Sequence, residues 1–212
     1  MAIHAGLVAY RHTHGLPKDW SVAPLFHLGS ETNVPTWFSG SLLLLCAFLL
    51  WLIRREALRR GLAGATHWLW LALIFAYLSL DEIAAIHERT DAPLHQLFDL
   101  TGVFHFAWVV LAIPILAVLG VFYIPFLIRL GRPHRTRFAA AAILYVGGAL
   151  GMEMIGAAEN EVHGSVSLVY EVFNTLEETL EMLGTVVFVH ALLAYMGELT
   201  SRRTVYLADI DA

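Results

Sequence analysis

Seven carboxylates and one histidine lie inside or at the ends of long apolar stretches of this sequence, where ionisable side chains are uncommon. They are Asp81, Glu82, His87 and Glu88 at the end of one stretch, Glu153 inside a second, and Glu177, Glu178 and Glu181 at the start of a third. An ionisable group in a membrane helix is costly, so each one indicates a functional site by default. If the three groups meet in space, they form a carboxylate-rich site that contains one imidazole.

No lysine or arginine accompanies these acids at the same depth in the apolar stretches. So many carboxylates cannot all stay ionised unless protons, cations or the basic residues of a partner subunit neutralise them. Carboxylates and imidazoles that project from several helices bind paired divalent metals in helical bundles. We therefore expect about two divalent metal ions, with iron or manganese favoured and zinc possible, because carboxylate oxygens prefer hard metals.

The expected chemical roles divide the eight residues into two sets. The predicted metal ligands are Asp81, Glu88, Glu153, Glu178 and Glu181. The predicted catalytic residues are His87, as a ligand or general base, and Glu82 and Glu177, as acid–base groups. A structural interpretation stays open for each residue, because acids near helix ends can reach water and deeper acids can be protonated and bond across helices.

The pattern of inward-facing carboxylates resembles that of the helical di-iron carboxylate proteins. Glu178-Thr179-Leu180-Glu181 is a carboxylate-only counterpart of their Glu-x-x-His motif. The chain departs from those proteins because Glu-x-x-His occurs nowhere in it, and His87 has no glutamate three residues before it. The resemblance implies a metal site between helices and rests on a short part of the chain.

Membrane helices must position these residues. Of the 212 residues 58% are hydrophobic and 15% are charged, with a mean hydropathy of +0.66, whereas soluble domains are about 25% charged. We predict an all-α integral membrane protein with a five-transmembrane-helix bundle. The predicted spans are about 37–53, 67–86, 103–128, 138–158 and 176–196, near the roughly 20 residues that cross a bilayer.

The basic residues predict how this bundle is oriented. Ten of the thirteen lysines and arginines lie in residues 54–60, 129–137 and 202–203, which fall on one side of a five-span chain. The positive-inside rule places that side in the cytoplasm, so the N-terminus is predicted outside and the C-terminus cytoplasmic. We expect a multi-pass protein of a bacterial inner (plasma) membrane.

The chain divides into three predicted regions around the spans. Residues 1–36 are expected to form an extracytoplasmic segment over the bundle. If this segment caps the site, His4, His12 and His14 are candidate ligands. Residues 37–200 form the membrane domain, and residues 201–212 form a cytoplasmic tail. The one cysteine excludes a disulfide within the chain.

Helix geometry predicts that three acids from different spans lie at one depth. At the rise of an α-helix, Asp81, Glu153 and Glu181 lie about 22–24 Å from the cytoplasmic ends of their spans. On the second span Asp81 and Glu88 are seven residues apart and are predicted to share a face. On the fourth span Gly147 and Gly151 form a GxxxG pair, which predicts close helix packing on the face opposite Glu153.

The sequence favours a membrane-embedded metalloenzyme whose site lies near the outer leaflet and acts on a membrane lipid or another apolar small molecule. An oxidoreductase is slightly favoured over a metal-dependent intramembrane hydrolase. A proton or cation transporter, or a non-catalytic subunit of a membrane complex, is the alternative. A transporter needs a polar path through the cytoplasmic half, which is nearly all apolar. Nucleic-acid binding is not expected, because topology explains the short basic loops; oligomeric state and partner subunits stay open.

Overall fold

The computed structural model describes residues 2–14 and 23–208, and every regular element in these ranges is helical. The α-helices are α1 (Ala2–His14), α2 (Val34–Arg59), α3 (Ala65–Ala84), α4 (Ile86–Arg89), α5 (Asp91–Leu97), α6 (Val109–Arg129), α7 (Arg132–Val146), α8 (Glu153–His163) and α9 (Leu168–Ala208). Short 3-10 helices occur at Ala23–Phe26 and Gly102–Phe104, and a π-helical turn spans Gly147–Met152.

Five helical segments are long and apolar enough to cross a membrane. They are α2, α3, α6, the continuous helix Arg132–His163 that α7, the π-helical turn and α8 form together, and Leu168–Ser201 of α9. The predicted all-α class and the predicted number of membrane-length helices are confirmed for the described part of the chain.

Helix α2 begins where the sequence offers both a cap and a proline. Asn33 Oδ1 accepts a backbone N–H of the first turn, and Pro35 occupies that turn, where its missing N–H costs nothing. The side-chain amide of Asn33 also donates to the backbone carbonyls of Pro24, His27 and Ser30. Asn33 therefore ties the segment before the bundle to the start of the first long helix.

The apolar core lies at the end of the bundle that carries the basic loops. The side chain of Trp68, at the start of α3, is 1% exposed and packs against Phe126 on α6, Phe138 on α7 and Tyr195 on α9. Ile53, near the end of α2, belongs to the same core. Because ends and starts of successive helices meet here, the long helices run in alternating directions.

Two glycines allow α9 to pack closely against the helix that contains the π-helical turn. A Cβ atom on Gly148 would lie 2.8 Å from the carbonyl oxygen of Glu177, and one on Gly184 would lie 2.7 Å from the backbone nitrogen of Tyr145. Both distances are too short for a side chain. The two helices therefore touch through backbone at the depth of the predicted acids.

The predicted role of the GxxxG pair is wrong. Nothing lies within 4 Å of a Cβ atom built on Gly147 or on Gly151, so neither glycine makes a close helix contact. The neighbouring Gly148 makes that contact instead, and all three belong to the π-helical turn, which a regular α-helical pattern does not anticipate.

Most helix boundaries differ from the predicted ones, and the following three differ because of local structure. Helix α3 ends at Ala84 rather than near residue 86, because Ala85 adopts the left-handed conformation with φ of 48°. Helix α6 begins at Val109 rather than near 103, because turns precede it. Helix α9 begins at Leu168 rather than near 176, because its first turns are helical although they carry polar residues.

The close contact at Gly184 predicts a selective loss of stability. We expect Gly184→Ala to destabilise the protein by about 1–3 kcal/mol, because its methyl group would overlap the α7 backbone. Gly197 lies on the same helix with nothing within 4 Å of its Cβ position, so Gly197→Ala should be neutral or slightly stabilising. Thermal unfolding of both variants in detergent measures the difference; equal behaviour would contradict the packing described here.

Candidate functional site

The helix break at Ala85 brings Asp81 and His87 together. Because α3 ends at Ala84 and α4 starts directly after the break, His87 turns back towards the last turn of α3. Asp81 Oδ1 accepts the backbone N–H of His87 at 2.9 Å, and Asp81 Oδ2 lies 2.7 Å from His87 Nδ1. The prediction that Asp81 and Glu88 share a helix face is therefore wrong, since the helix between them is interrupted and Glu88 is exposed.

The contact with Asp81 fixes the orientation and the charge of His87. Nδ1 donates its proton to Asp81, and Nε2 has no hydrogen-bond partner within residues 2–14 and 23–208. Burial by itself lowers the pKa of His87, but the hydrogen bond and charge of Asp81, with the charges of Glu88 and Glu153, raise that pKa to about 9. The imidazole is thus held by one nitrogen and keeps the other available.

Glu153, the first residue of α8, is held from two sides. Its Oε1 accepts the indole N–H of Trp108 at 2.8 Å, and its carboxyl group hydrogen-bonds that of Glu177 on α9. The backbone N–H of Trp108 donates to Asp91, which fixes the loop before α6. A hydrogen bond between two carboxyl groups needs a proton on one of them, so this pair shares a proton.

Three further acids lie beside these two pairs. Glu178 interacts electrostatically with Glu82 and His87, and Glu181, one turn further along α9, interacts with Glu178 and Glu82. The phenol of Tyr145, in the last turn of α7, lies in the field of the same carboxylates. The site therefore draws side chains from α3, α4, α7, α8 and α9.

Glu31, from the segment before α2, completes the set and was not predicted. Its Oε2 is buried and has no hydrogen-bond partner in the part of the chain that the structure describes. Burial raises the pKa of Glu31, the charges of Glu88 and Asp81 raise it further, and His87 lowers it. The residues that hold this loop, chiefly Asn33, therefore place an unpartnered carboxyl group over the membrane acids.

We call this set the acidic cluster. Its members are Glu31, Asp81, Glu82, His87, Glu153, Glu177, Glu178 and Glu181. Among the described residues no lysine or arginine forms an ion pair with any of its acids. Within residues 2–14 and 23–208, no three His, Cys, Asp or Glu side chains stand in an arrangement that could hold a metal ion. The acids interact electrostatically, but Glu153 and Glu177 are hydrogen-bonded to each other and Asp81 is hydrogen-bonded to His87.

The structure thus brings together seven of the eight residues singled out from the sequence, and Glu88 stays at the exposed rim. Asp81, predicted as a metal ligand, holds His87, and Glu177, predicted as an acid–base group, pairs with Glu153. Whether any of these residues binds metal stays a prediction.

Sequence reasoning missed Glu31, Trp108 and Tyr145. Glu31 had a usable signal, because it stands three residues before the first long helix and hence on the same side of the bundle as the predicted site. Trp108 and Tyr145 had none: tryptophan and tyrosine are ordinary in membrane helices and at their ends, and only the tertiary packing aims these two at carboxylates.

A family model described as Domain of unknown function (DUF8692) matches residues 1–196, which is most of the chain, so the protein belongs to this family. No curated protein and no solved structure shows significant similarity to the chain.

The Asp81–His87 pair makes stability depend on pH in a defined direction. Because the pKa of His87 is raised from 6.5 to about 9, the pair stabilises the metal-free fold fully below about pH 6.5, and this stabilisation is lost as the pH rises through about 9. We expect Asp81→Asn to lower the free energy of unfolding at pH 6 by up to about 3 kcal/mol and by much less at pH 10.

The free energy of unfolding of the natural protein and of Asp81→Asn, measured as a function of pH, tests this prediction. The control is His163→Gln, since His163 is 61% exposed in its contact with Glu159 and should contribute little at any pH. A deficit of Asp81→Asn that stays constant from pH 6 to pH 10 would contradict a charged His87.

Proposed function

We propose that this member of the DUF8692 family is a membrane-embedded metalloenzyme, an oxidoreductase that uses two iron or manganese ions bound in the acidic cluster. The observation that carries the proposal is the Asp81–His87 pair. Asp81 holds Nδ1 of the imidazole, and the ring interacts electrostatically with Glu178 and Glu31. Among the described residues no lysine or arginine pairs with these carboxylates. A histidine that binds a metal commonly has its other nitrogen held by a carboxylate in this way.

Charge balance supports the same conclusion. Burying several carboxylates together is unfavourable unless protons or cations neutralise them. A divalent ion would displace the proton that Glu153 and Glu177 share and the proton on Nε2 of His87, since metal ligands bind deprotonated. The two internal pairs are therefore compatible with ion binding once their protons leave.

The proposed roles follow from these contacts. His87, Glu153, Glu178 and Glu181 bind the ions. Asp81 positions His87, Glu82 and Glu177 transfer protons, and Glu88 lies at the rim. Two bound ions would supply the electrons for oxygen chemistry, which side chains of the chain cannot supply themselves.

The apolar half of the bundle favours an enzyme over a transporter. Below Glu181 on α9, the side chains of Phe188, Ala191 and Leu192 are at most 9% exposed and belong to the apolar core. Glu198, which pairs with His134, lies about 25 Å of helix beyond Glu181. A site that opens to one side only suits catalysis better than transport.

The surroundings of Asp81 suggest an apolar substrate from the lipid. Tyr77, one turn before Asp81, hydrogen-bonds it and is 53% exposed on the outer surface of α3, beside the exposed Leu80. An aromatic side chain that touches both lipid and site would guide a lipid or another apolar molecule to the cluster. The excess of basic residues at the opposite end supports a cytoplasmic location for that end, so the site would face the outside of a bacterial inner (plasma) membrane.

Metal analysis of the protein purified in detergent tests the proposal. We expect about two iron or manganese ions per chain, and a loss of half or more in Glu153→Gln and in Glu178→Gln. Glu161→Gln is the matched control, since Glu161 lies on α8 with Glu153 but accepts a bond from Gly102 outside the cluster. This variant should keep its metal.

The same measurement separates the alternatives. One or two zinc ions per chain would favour the intramembrane hydrolase over the oxidoreductase. Metal-free protein that stays folded and binds neither Fe²⁺ nor Mn²⁺ at micromolar concentration would reject a metalloenzyme and leave a proton-binding or partner-binding role.

A further inference from the structure

Helix α1 contacts the bundle through a buried histidine. Of the α1 side chains that the structure describes, only His4 is buried, with 2% of its surface exposed. Its ring reaches α9, where Nε2 lies 2.8 Å from Thr175 Oγ1. Thr175 stands one turn before Glu178 on α9, so α1 lies over the outer end of the acidic cluster.

Hydrogen bonds show that His4 must be neutral while α1 is docked. Its Nδ1 accepts the backbone N–H of Leu28 at 3.1 Å, so this nitrogen carries no proton. Nε2 then donates to Thr175, whose hydroxyl group donates in turn to the backbone carbonyl of Glu171. Both ring nitrogens are engaged, and a second proton on Nδ1 would point at the N–H of Leu28.

The charges around His4 also oppose its protonation. Burial lowers the pKa of His4, and His27, whose ring lies 5.0 Å away, lowers this pKa further. Glu171 raises the pKa of His4, and the amino terminus lowers it. Glu171 is itself engaged by His27 at 3.2 Å. The negative charge nearest to His4 is therefore shared with a second imidazole.

We propose that α1 is an acid-sensitive lid over the acidic cluster, and that protonation of His4 releases it. The pair of His27 and Glu171 keeps the loop before α2 in place, so release is confined to α1. The purpose of the lid rests on the proposed function of the cluster, but its movement does not. Acid release would open the outer end of the site and let protons or substrate exchange with the aqueous phase.

The sign of the pH dependence follows from linkage. The docked state keeps the pKa of His4 below its ordinary value of 6.5, so this state binds fewer protons than the released state. Docking is therefore strongest above about pH 6.5 and weakens as the pH falls below that value.

Hydrogen–deuterium exchange of the α1 amides in the full-length protein, in detergent and without added metal, tests the lid. After correction for intrinsic exchange rates, we expect protection of α1 to fall several-fold from pH 7.5 to pH 5.5. The matched variant is His4→Asn, whose Oδ1 can still accept the N–H of Leu28 but does not titrate. His163→Gln, an exposed histidine outside α1, is the control.

Each outcome decides the proposal. Protection of α1 in His4→Asn that is the same at both pH values supports the proposal. Free exchange of α1 in this variant at both pH values also supports it, because the helix then depends on His4 for docking. Unchanged protection in the natural protein, or a fall that persists in His4→Asn, overturns it. A chain that binds no metal in the metal analysis but shows the lid behaviour would reject the proposed enzyme and leave the lid intact.

Discussion

The acids at one end of the bundle, which pair with no lysine or arginine among the described residues, impose the constraint on which this structure depends. In water, ionised carboxylates at these separations would repel one another only weakly. Between packed helices the repulsion is strong, and the loss of hydration adds a large free-energy cost. The structure answers with two internal pairs, Asp81 with His87 and Glu153 with Glu177. Each pair is neutralised by a proton. A divalent metal ion is another positively charged species that could neutralise these carboxylates. The proposed function follows from this balance.

Departures from regular helix at this end of the bundle serve the same group of acids. The break at Ala85 turns His87 back onto Asp81, and the π-helical turn, with Gly148 in it, lets α9 approach directly before Glu153. π-helical turns and left-handed residues are strained relative to a regular helix and cluster at functional sites. The opposite half of the bundle is regular and apolar, so the fold separates a stable core from a polar end.

The sequence was sufficient for the class of fold and for most of the cluster. Apolar runs of membrane length predict five helices, and an acid in a run is recognisable because it is costly there. Contacts that depend on a reversal of the chain were not predictable. Helical periodicity assumes that a helix continues, so it predicted that Asp81 and Glu88 share a face. It cannot predict the helix break that places His87, rather than Glu88, against Asp81. For the same reason it chose Gly147 and Gly151, whereas the π-helical turn brings Gly148 against α9. Glu31 was missed because a loop residue has no periodicity.

Anomalous diffraction from crystals of the protein soaked with Mn²⁺ tests the central claim most directly. The account predicts an anomalous peak within bonding distance of His87 Nε2 and of carboxyl oxygens from Glu178 and Glu153, with the hydrogen bond between Glu153 and Glu177 broken. A well-ordered site with no anomalous peak, and with both internal pairs intact at saturating Mn²⁺, would contradict it. In that case the acids would be neutralised by protons alone.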